Sequence, residues 1–292
     1  MKRLLIIGCG DVARRTIPLV VRRYRVYALV RNTANCAALR TLGAVPLSGD
    51  LDDRTGLSCV AGLADTVLHF APPQNSSALD TRTRHLLAAL SSGALPKQLV
   101  YISTSSVYGD CRGAAVSEAH PIAPKTAPAK RRANAEKLIR NWAKRNKVRA
   151  CILRVPGIYA AERLPLNRLQ QGLPCIIDSE DVHTNLIHAD DLARIVVTVL
   201  RNGSACRVYH ACDDSQLKMG GYFDTVAKAF GLSPPPRISS AEAQRVLPES
   251  LLSFMNESRQ LANQRMKREL KVKLLYPAVA DWLAAIKHSK VA

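Results

Sequence analysis

Carboxylates are scarce in this 292-residue chain: 23 Asp and Glu stand against 42 Lys and Arg, a formal net charge of +19. A cationic surplus of that size predicts attraction to phosphates, from nucleotides up to nucleic acids. Long apolar runs are missing as well. None approaches the roughly 18–20 residues that cross a bilayer. The N-terminal run Leu4-Leu5-Ile6-Ile7 stops at Gly8, short of the roughly 7–15 residues of a secretion-signal core. Closely paired cysteines are the third absence. The eight cysteines (Cys9, Cys36, Cys59, Cys111, Cys151, Cys175, Cys206 and Cys212) contain no Cys-x-x-Cys spacing. That excludes a disulfide framework and argues against a zinc site, so no metal is expected and the thiols read as small buried residues. The expected compartment is the cytoplasm. There is no internal repeat. What the chain does have is apolar substance, 47% of its residues. That is enough for one large α/β domain, alone or with a smaller lobe.

Strand-like apolar runs alternate with helical patterns through the first two thirds. The strands read as Leu4–Ile7, Arg25–Val30, Ala44–Leu47, Thr66–Phe70, Gln98–Ser103 and Ala150–Arg154, and Arg207–Ala211 follows later. Helical spacing covers Asp11–Tyr24, with Pro18 expected to bend or shorten it, then Thr33–Leu42, Ala78–Ser91 and Lys130–Asn146. Alternation of this kind predicts a doubly wound parallel sheet of Rossmann type with helices on both faces. After Arg154 the rhythm loosens. Residues 163–178 read as a loop-rich insertion, and Asp190 reads as the cap of a helix running to Leu200. The expected organisation is a dinucleotide-binding domain over 1–160, to which 183–215 returns, and a small substrate-binding lobe formed by 161–182 and 216–292.

The first strand runs directly into Gly8-Cys9-Gly10-Asp11-Val12-Ala13, a GxGxxA turn that opens the first helix. Gly8 permits the tight turn, Gly10 lets backbone approach a pyrophosphate, and Ala13 is small enough for helix to pack on strand. The helix N-terminus adds unpaired N–H groups and partial positive charge. A ribose-binding acid is missing from the end of the second strand, where Val30-Arg31-Asn32 stands instead, about twenty residues on. A guanidinium there would grip a 2′-phosphate, so NADP is the expected cofactor, with NAD as the alternative. Asp50 and Leu51 after the third strand fall near the adenine. Phe70 and Ala71 at the end of the fourth strand and Pro156 after the sixth complete the cofactor candidates.

Lys130 to Arg149 holds nine Lys or Arg against one carboxylate, Glu136. Ala135, Leu138, Ile139, Trp142 and Ala143 recur there at helical spacing, which predicts one helix with a buried stripe and a basic outer face. A solvated face is the simpler reading. Nucleic-acid association is the alternative, though the charge lacks a recognised binding motif or interleaved aromatics.

Several segments together resemble the extended, epimerase/dehydratase-like branch of the short-chain dehydrogenase/reductase superfamily, including its atypical members. Tyr101-Ile102-Ser103-Thr104-Ser105-Ser106-Val107-Tyr108-Gly109-Asp110 resembles the fifth strand and active-site loop, followed by Glu118, Pro121 and Pro124. Arg154-Val155-Pro156-Gly157-Ile158-Tyr159 resembles the sixth-strand motif. Asn185 to Ala193 resembles the N-x-x-H-x-x-D segment. Ser258, Asn263, Arg265 and the Leu-x-Tyr-Pro at 274–277 resemble the tail.

The resemblance implies a Ser or Thr, a Tyr and a Lys as chemical machinery. It puts the hydroxyl role on Thr104 with Ser105 adjacent, and substrate contacts on Tyr159, Asn185 and His188. The Tyr-x-x-x-Lys motif is due about twenty residues after Tyr108, where Ala127-Pro128-Ala129-Lys130-Arg131-Arg132-Ala133 stands; the tyrosine is missing. Lys130 or Arg132 is left to hold the ribose or a phosphate, and Tyr108 is the nearest titratable replacement, with His120 and Tyr159 as others. Two functions stay open. One is an NADP-dependent oxidoreductase or epimerase acting on a nucleotide-linked or other anionic small molecule. The other is a non-catalytic NAD(P)-binding sensor or interaction protein.

Overall fold

The computed structural model describes residues 1–248, Leu252, Met255 and 257–289. Its centre is a seven-stranded sheet. The strands are β1 (Lys2–Ile7), β2 (Tyr24–Val30), β3 (Ala44–Ser48), β4 (Thr66–His69), β5 (Gln98–Thr104), β6 (Arg149–Val155) and β7 (Arg207–His210). Their order across the sheet is β7-β6-β5-β4-β1-β2-β3, with every neighbouring pair parallel. The winding direction reverses between β1 and β4, and such a switch point opens a crevice at the carboxyl ends of the strands.

The uninterrupted apolar run in β1 follows from helices on both faces. Leu4 and Ile6 point into one core with α1 (Asp11–Val20), α2 (Cys36–Thr41) and α5 (Ala189–Asn202). Leu5 and Ile7 point into the other with α3 (Thr81–Leu90) and α4 (Ala127–Asn146). All four β1 side chains are fully buried. Among the described residues no helix is long and apolar enough to cross a membrane.

Local chemistry moved several boundaries. Helix α1 contains Pro18 and ends at Val20 rather than Tyr24, where β2 already begins. Helix α3 starts later than its apolar pattern because Asp80 caps it, accepting from the Thr83 N–H at 3.1 Å. Helix α4 starts earlier, with Thr126 as its cap and Pro128 in the first turn, where a missing N–H costs nothing. Its basic residues do not form one outer face. Lys137, Lys144 and Arg145 are exposed, whereas Arg131 is buried and Arg132 half-buried. The cap of α5 is His188, whose Nδ1 accepts from the Asp190 N–H, and not Asp190 itself.

A third core lies beyond β6. It joins Tyr159, Leu169, Ile176 and Leu186 to α6 (Met219–Phe230) and to Val279, Trp282 and Leu283 of α8 (Val279–Ser289). Helix α7 (Gln264–Leu270), grouped above with the lobe, instead places Met266 and Leu270 in the sheet core alongside α5.

Candidate functional site

Two clefts open at the carboxyl ends of the strands. The first, of about 320 Å³, is lined by Gly8, Cys9, Arg31, Asp50, Leu51 and Ala71, with Asn32 and Arg82 at its margin. Gly8 sits at φ +89°, and a Cβ there would lie 2.4 Å from the Ala71 nitrogen and 2.7 Å from its Cα. Backbone therefore demands glycine at this position, and the carbonyl of Ile7 accepts from the N–H groups of both Phe70 and Ala71. Gly10 is a different case. Its φ is −74°, and a Cβ there would meet nothing within 4 Å. The free space lies before the N-terminus of α1, where Gly10 supplies no side-chain cap to the first-turn N–H groups. Ala13 is buried against the sheet.

Around that turn, the Asp11 carboxylate is drawn aside by Arg15 at 2.7 Å and Arg163 at 3.3 Å. Val12 and Phe70 face the core rather than the cleft. Burial pushes the Cys9 thiol up to about 12, and its Sγ leans on the Leu29 carbonyl. Arg31 is exposed and makes no hydrogen bond or ion pair among the described residues, in contrast to Arg82, which grips Asp52 at 2.8 and 2.6 Å. The residues fit a dinucleotide: a helix end with open N–H groups, a glycine whose missing Cβ leaves room before it, and an unengaged guanidinium further along.

The second cleft, of about 620 Å³, is lined by Thr104, Ser105 and Ser106 from the end of β5, by Pro156 after β6, and by Asn185. Thr104 caps the next turn by accepting from the Ser106 N–H at 3.3 Å. Arg163, Arg168, His183, Tyr222, Phe223, Glu257 and Arg259 also line it and were not among the sequence candidates for binding. Burial lowers Arg168, whose guanidinium lies 4.9 Å from the Phe223 ring centre. Arg259 pairs with Glu257 at 2.9 Å and donates to the Gly109 carbonyl at 2.6 Å, while its Nε is buried without a partner.

Residues 257–261 reach this wall as a strap. The Ser258 carbonyl accepts from Cys111 and Gly113, and Gln260–Leu261 pairs in parallel with Ala115–Val116. The Asn185 amide closes it, donating to the Arg259 carbonyl at 2.9 Å and accepting from the Leu261 N–H at 2.8 Å.

Of the candidates for catalysis and substrate contact, Tyr108, Tyr159, His188 and Lys130 line neither cleft. Tyr108 is buried, its hydroxyl 2.5 Å from His210 Nε2 and accepting from Arg154 at 2.6 Å. Burial raises its pKa, against the opposing effect of Arg154. Its hydroxyl is committed to the core, which removes it as a replacement proton donor. Arg154 also makes a two-toothed pair with Glu136 at 3.0 and 2.7 Å, and Ser103 donates to the same carboxylate. Tyr159 and His188 pack edge-on at 5.1 Å, with Trp282 against both. They hold the junction between the sheet and the third core. Lys130 is exposed in the first turn of α4, away from the cleft linings. Arg132 turns inward, donating to the Ile102 carbonyl at 2.7 Å and the Tyr101 hydroxyl at 3.1 Å. No group of three His, Cys, Asp or Glu side chains among the described residues is placed to hold a metal ion.

Residues 10–212 match the model of the NAD dependent epimerase/dehydratase family. The human dTDP-D-glucose 4,6-dehydratase is 24% identical over 239 residues, covering 72% of this chain and 68% of that protein. A conserved protein of unknown function from Silicibacter pomeroyi superposes with a TM-score of 0.82 at 26% identity, covering all of both chains. UDP-glucuronic acid 4-epimerase from Bacillus cereus, solved with UDP-glucuronic acid and NAD, has the same fold. Its TM-score is 0.78 at 19% identity, over 99% of this chain and 100% of that one.

Proposed function

This chain belongs to the NAD dependent epimerase/dehydratase family, and from that premise we propose that it binds NADP(H) in the first cleft and acts, as an oxidoreductase or epimerase, on an anionic, nucleotide-linked substrate in the second. The observation that carries the reading is the composition of the second cleft. Three hydroxyls at the end of β5 share it with Arg163, Arg168 and Arg259, against one lining carboxylate, Glu257. Arg168 and Arg259 each keep a buried Nε without a partner, and such guanidinium donors suit phosphate or carboxylate oxygens. The relatives named for dTDP- and UDP-linked sugars support that substrate class.

When bound, a nicotinamide dinucleotide supplies hydride exchange. The chain's own part is to hold the two molecules. The open N–H groups at Gly10–Val12 bind pyrophosphate, and Arg31 takes the 2′-phosphate that distinguishes NADP from NAD. Asp50 and Leu51 flank the adenine. Thr104 and Ser105 orient the substrate, with Asn185 fixing the strap behind it.

A second reading is a binding protein without turnover, favoured by one observation. Counting four residues back from Lys130 and Arg132 gives Thr126 and Pro128, and losing a general acid typically costs about 10²–10⁴ in rate. Arg132 is committed to the Ile102 carbonyl and the Tyr101 hydroxyl.

Titration with NADPH and NADH, followed by nicotinamide fluorescence and melting temperature, tests the cofactor claim. NADPH is expected to bind more tightly, and Arg31→Ala to weaken it about 10- to 100-fold with little effect on NADH. Equal affinity for both dinucleotides, or binding of neither, overturns it. Turnover of UDP- or dTDP-sugars separates the enzyme from the sensor.

A further inference from the structure

We propose that the amino end of the sheet, opposite both clefts, carries a second anion site, built for a small molecule bearing two or more phosphate groups. The amino ends of β1, β2 and β6 meet the carboxyl ends of α1 and α5 there, around a cavity of about 370 Å³. Lys2, Arg23, Arg149 and Arg201 line it, over a floor that includes Val20, Val197 and Leu200. An adjoining cavity of about 160 Å³ shares Lys2 and Arg149 and adds Lys97 and the one carboxylate, Asp65. The larger volume falls within the range of small-molecule sites.

Helix ends offer the simplest account of cations in this place, and the magnitudes do not suffice. Two helix carboxyl ends amount to about half a negative charge each. With Asp65 they offset about two of the five cations, leaving about three positive charges gathered around one hollow. Asp65 is also partly spent, accepting from the Arg3 N–H at 3.1 Å.

The hollow is built rather than incidental. Gln98, only 3% exposed, accepts from the Arg149 guanidinium at 2.8 Å while its amide donates to the Val199 carbonyl at 3.2 Å. A buried amide thus aims a guanidinium along the cavity. The side chains of Lys2, Arg23, Lys97 and Arg201 make no hydrogen bond or ion pair among the described residues, so their donors are available. Closely spaced phosphates are the chemistry that matches several convergent cations with unfilled donors. A concave floor of this size selects a free molecule over a rod-like nucleic acid.

Calorimetric titration with inorganic tripolyphosphate tests the site. The full chain is compared with Arg23→Gln/Arg201→Gln, with Arg149→Gln, and with Arg31→Ala in the dinucleotide cleft. Arg23 and Arg201 are exposed and unpaired, so their replacement is expected to leave the melting temperature unchanged, and Arg149→Gln gives an independent second probe. The proposal expects the double variant to lose tripolyphosphate affinity about tenfold or more, the loss of one or two charged hydrogen bonds. It expects Arg31→Ala to retain the affinity. Unchanged binding in both the double variant and Arg149→Gln overturns it, as does loss confined to Arg31→Ala, which would assign the anion to the dinucleotide cleft. A 16-base-pair DNA duplex is the remaining arm. Tighter binding of the duplex than of tripolyphosphate, abolished in the same double variant, would make this end of the sheet a nucleic-acid surface and refute the small-molecule site.

Discussion

The two glycines of the first turn should answer to different masters, and alanine at each position separates them. At Gly8 the new methyl would lie 2.4, 2.7 and 2.9 Å from backbone atoms of Ala71 and Phe70, none of which can swing away as a side chain would. Its φ of +89° adds roughly 1–2 kcal/mol for a residue with a Cβ. Overpacking against fixed backbone adds roughly 1–3 kcal/mol. Gly8→Ala should therefore lose about 2–5 kcal/mol of stability, a large part of what a domain possesses. At Gly10 the methyl meets nothing within 4 Å and φ is ordinary. Alanine is a poorer helix cap than glycine by roughly 0.5–1 kcal/mol, but it restricts the unfolded chain by roughly 0.4–1 kcal/mol. The two nearly cancel. Gly10→Ala should thus keep its urea midpoint while weakening NADPH, because the methyl enters the space assigned to pyrophosphate. Urea unfolding and fluorescence titration on both variants decide the matter. Wild-type NADPH affinity in Gly10→Ala would refute the placement of the phosphates, and a wild-type midpoint in Gly8→Ala would refute the packing.

Other consequences can be measured on the same material. Glu136→Gln breaks the fully buried pair with Arg154 and should cost about 3–5 kcal/mol, whereas Glu136→Met with Arg154→Leu should cost less; equal losses would mean that the stranded charge is not the cause. Burial pushes the Asp213 carboxyl up to about 7, so between pH 4 and 7 the folded state binds a proton that the unfolded state lacks, and stability contributed by this group falls as pH rises through that window. The His69 and His210 rings, pushed down to about 3 by burial, act in the opposite sense, losing stability as pH falls below about 6.5. Asp213→Asn should accordingly steepen the loss on acidification by up to about 1.4 kcal/mol per pH unit; parallel urea-midpoint profiles for the two proteins would contradict the assignment.

The fold was readable because its signals are local. Four consecutive aliphatic residues in β1 need cover on both faces, and a glycine turn follows at once. Part of the lining of the first cleft was readable for the same reason, since Gly8 and Arg31 lie at fixed offsets from strand ends. The second cleft was only half visible. Thr104 and Ser105 belong to a contiguous motif, whereas Arg163, Arg168 and Arg259 come from segments far apart in sequence. Tyr108 looked available because nothing near it in sequence announces His210 or Arg154. Arg132 looked like surface charge because its partner carbonyl, Ile102, lies thirty residues away. The cavity at the amino end of the sheet is the extreme instance, gathered from five strand and helix ends.

The strap at 257–261 gives the protein a birth order. Translation delivers residues at roughly 5–20 per second, so Ala115–Val116 leaves the ribosome on the order of 10–30 s before Gln260–Leu261, the segment it must pair with. The glycine turn needs only β1, α1 and the exit of β4, all made within the first 71 residues. A nascent chain thus holds every residue of the glycine turn while one wall of the other cleft has yet to be synthesised.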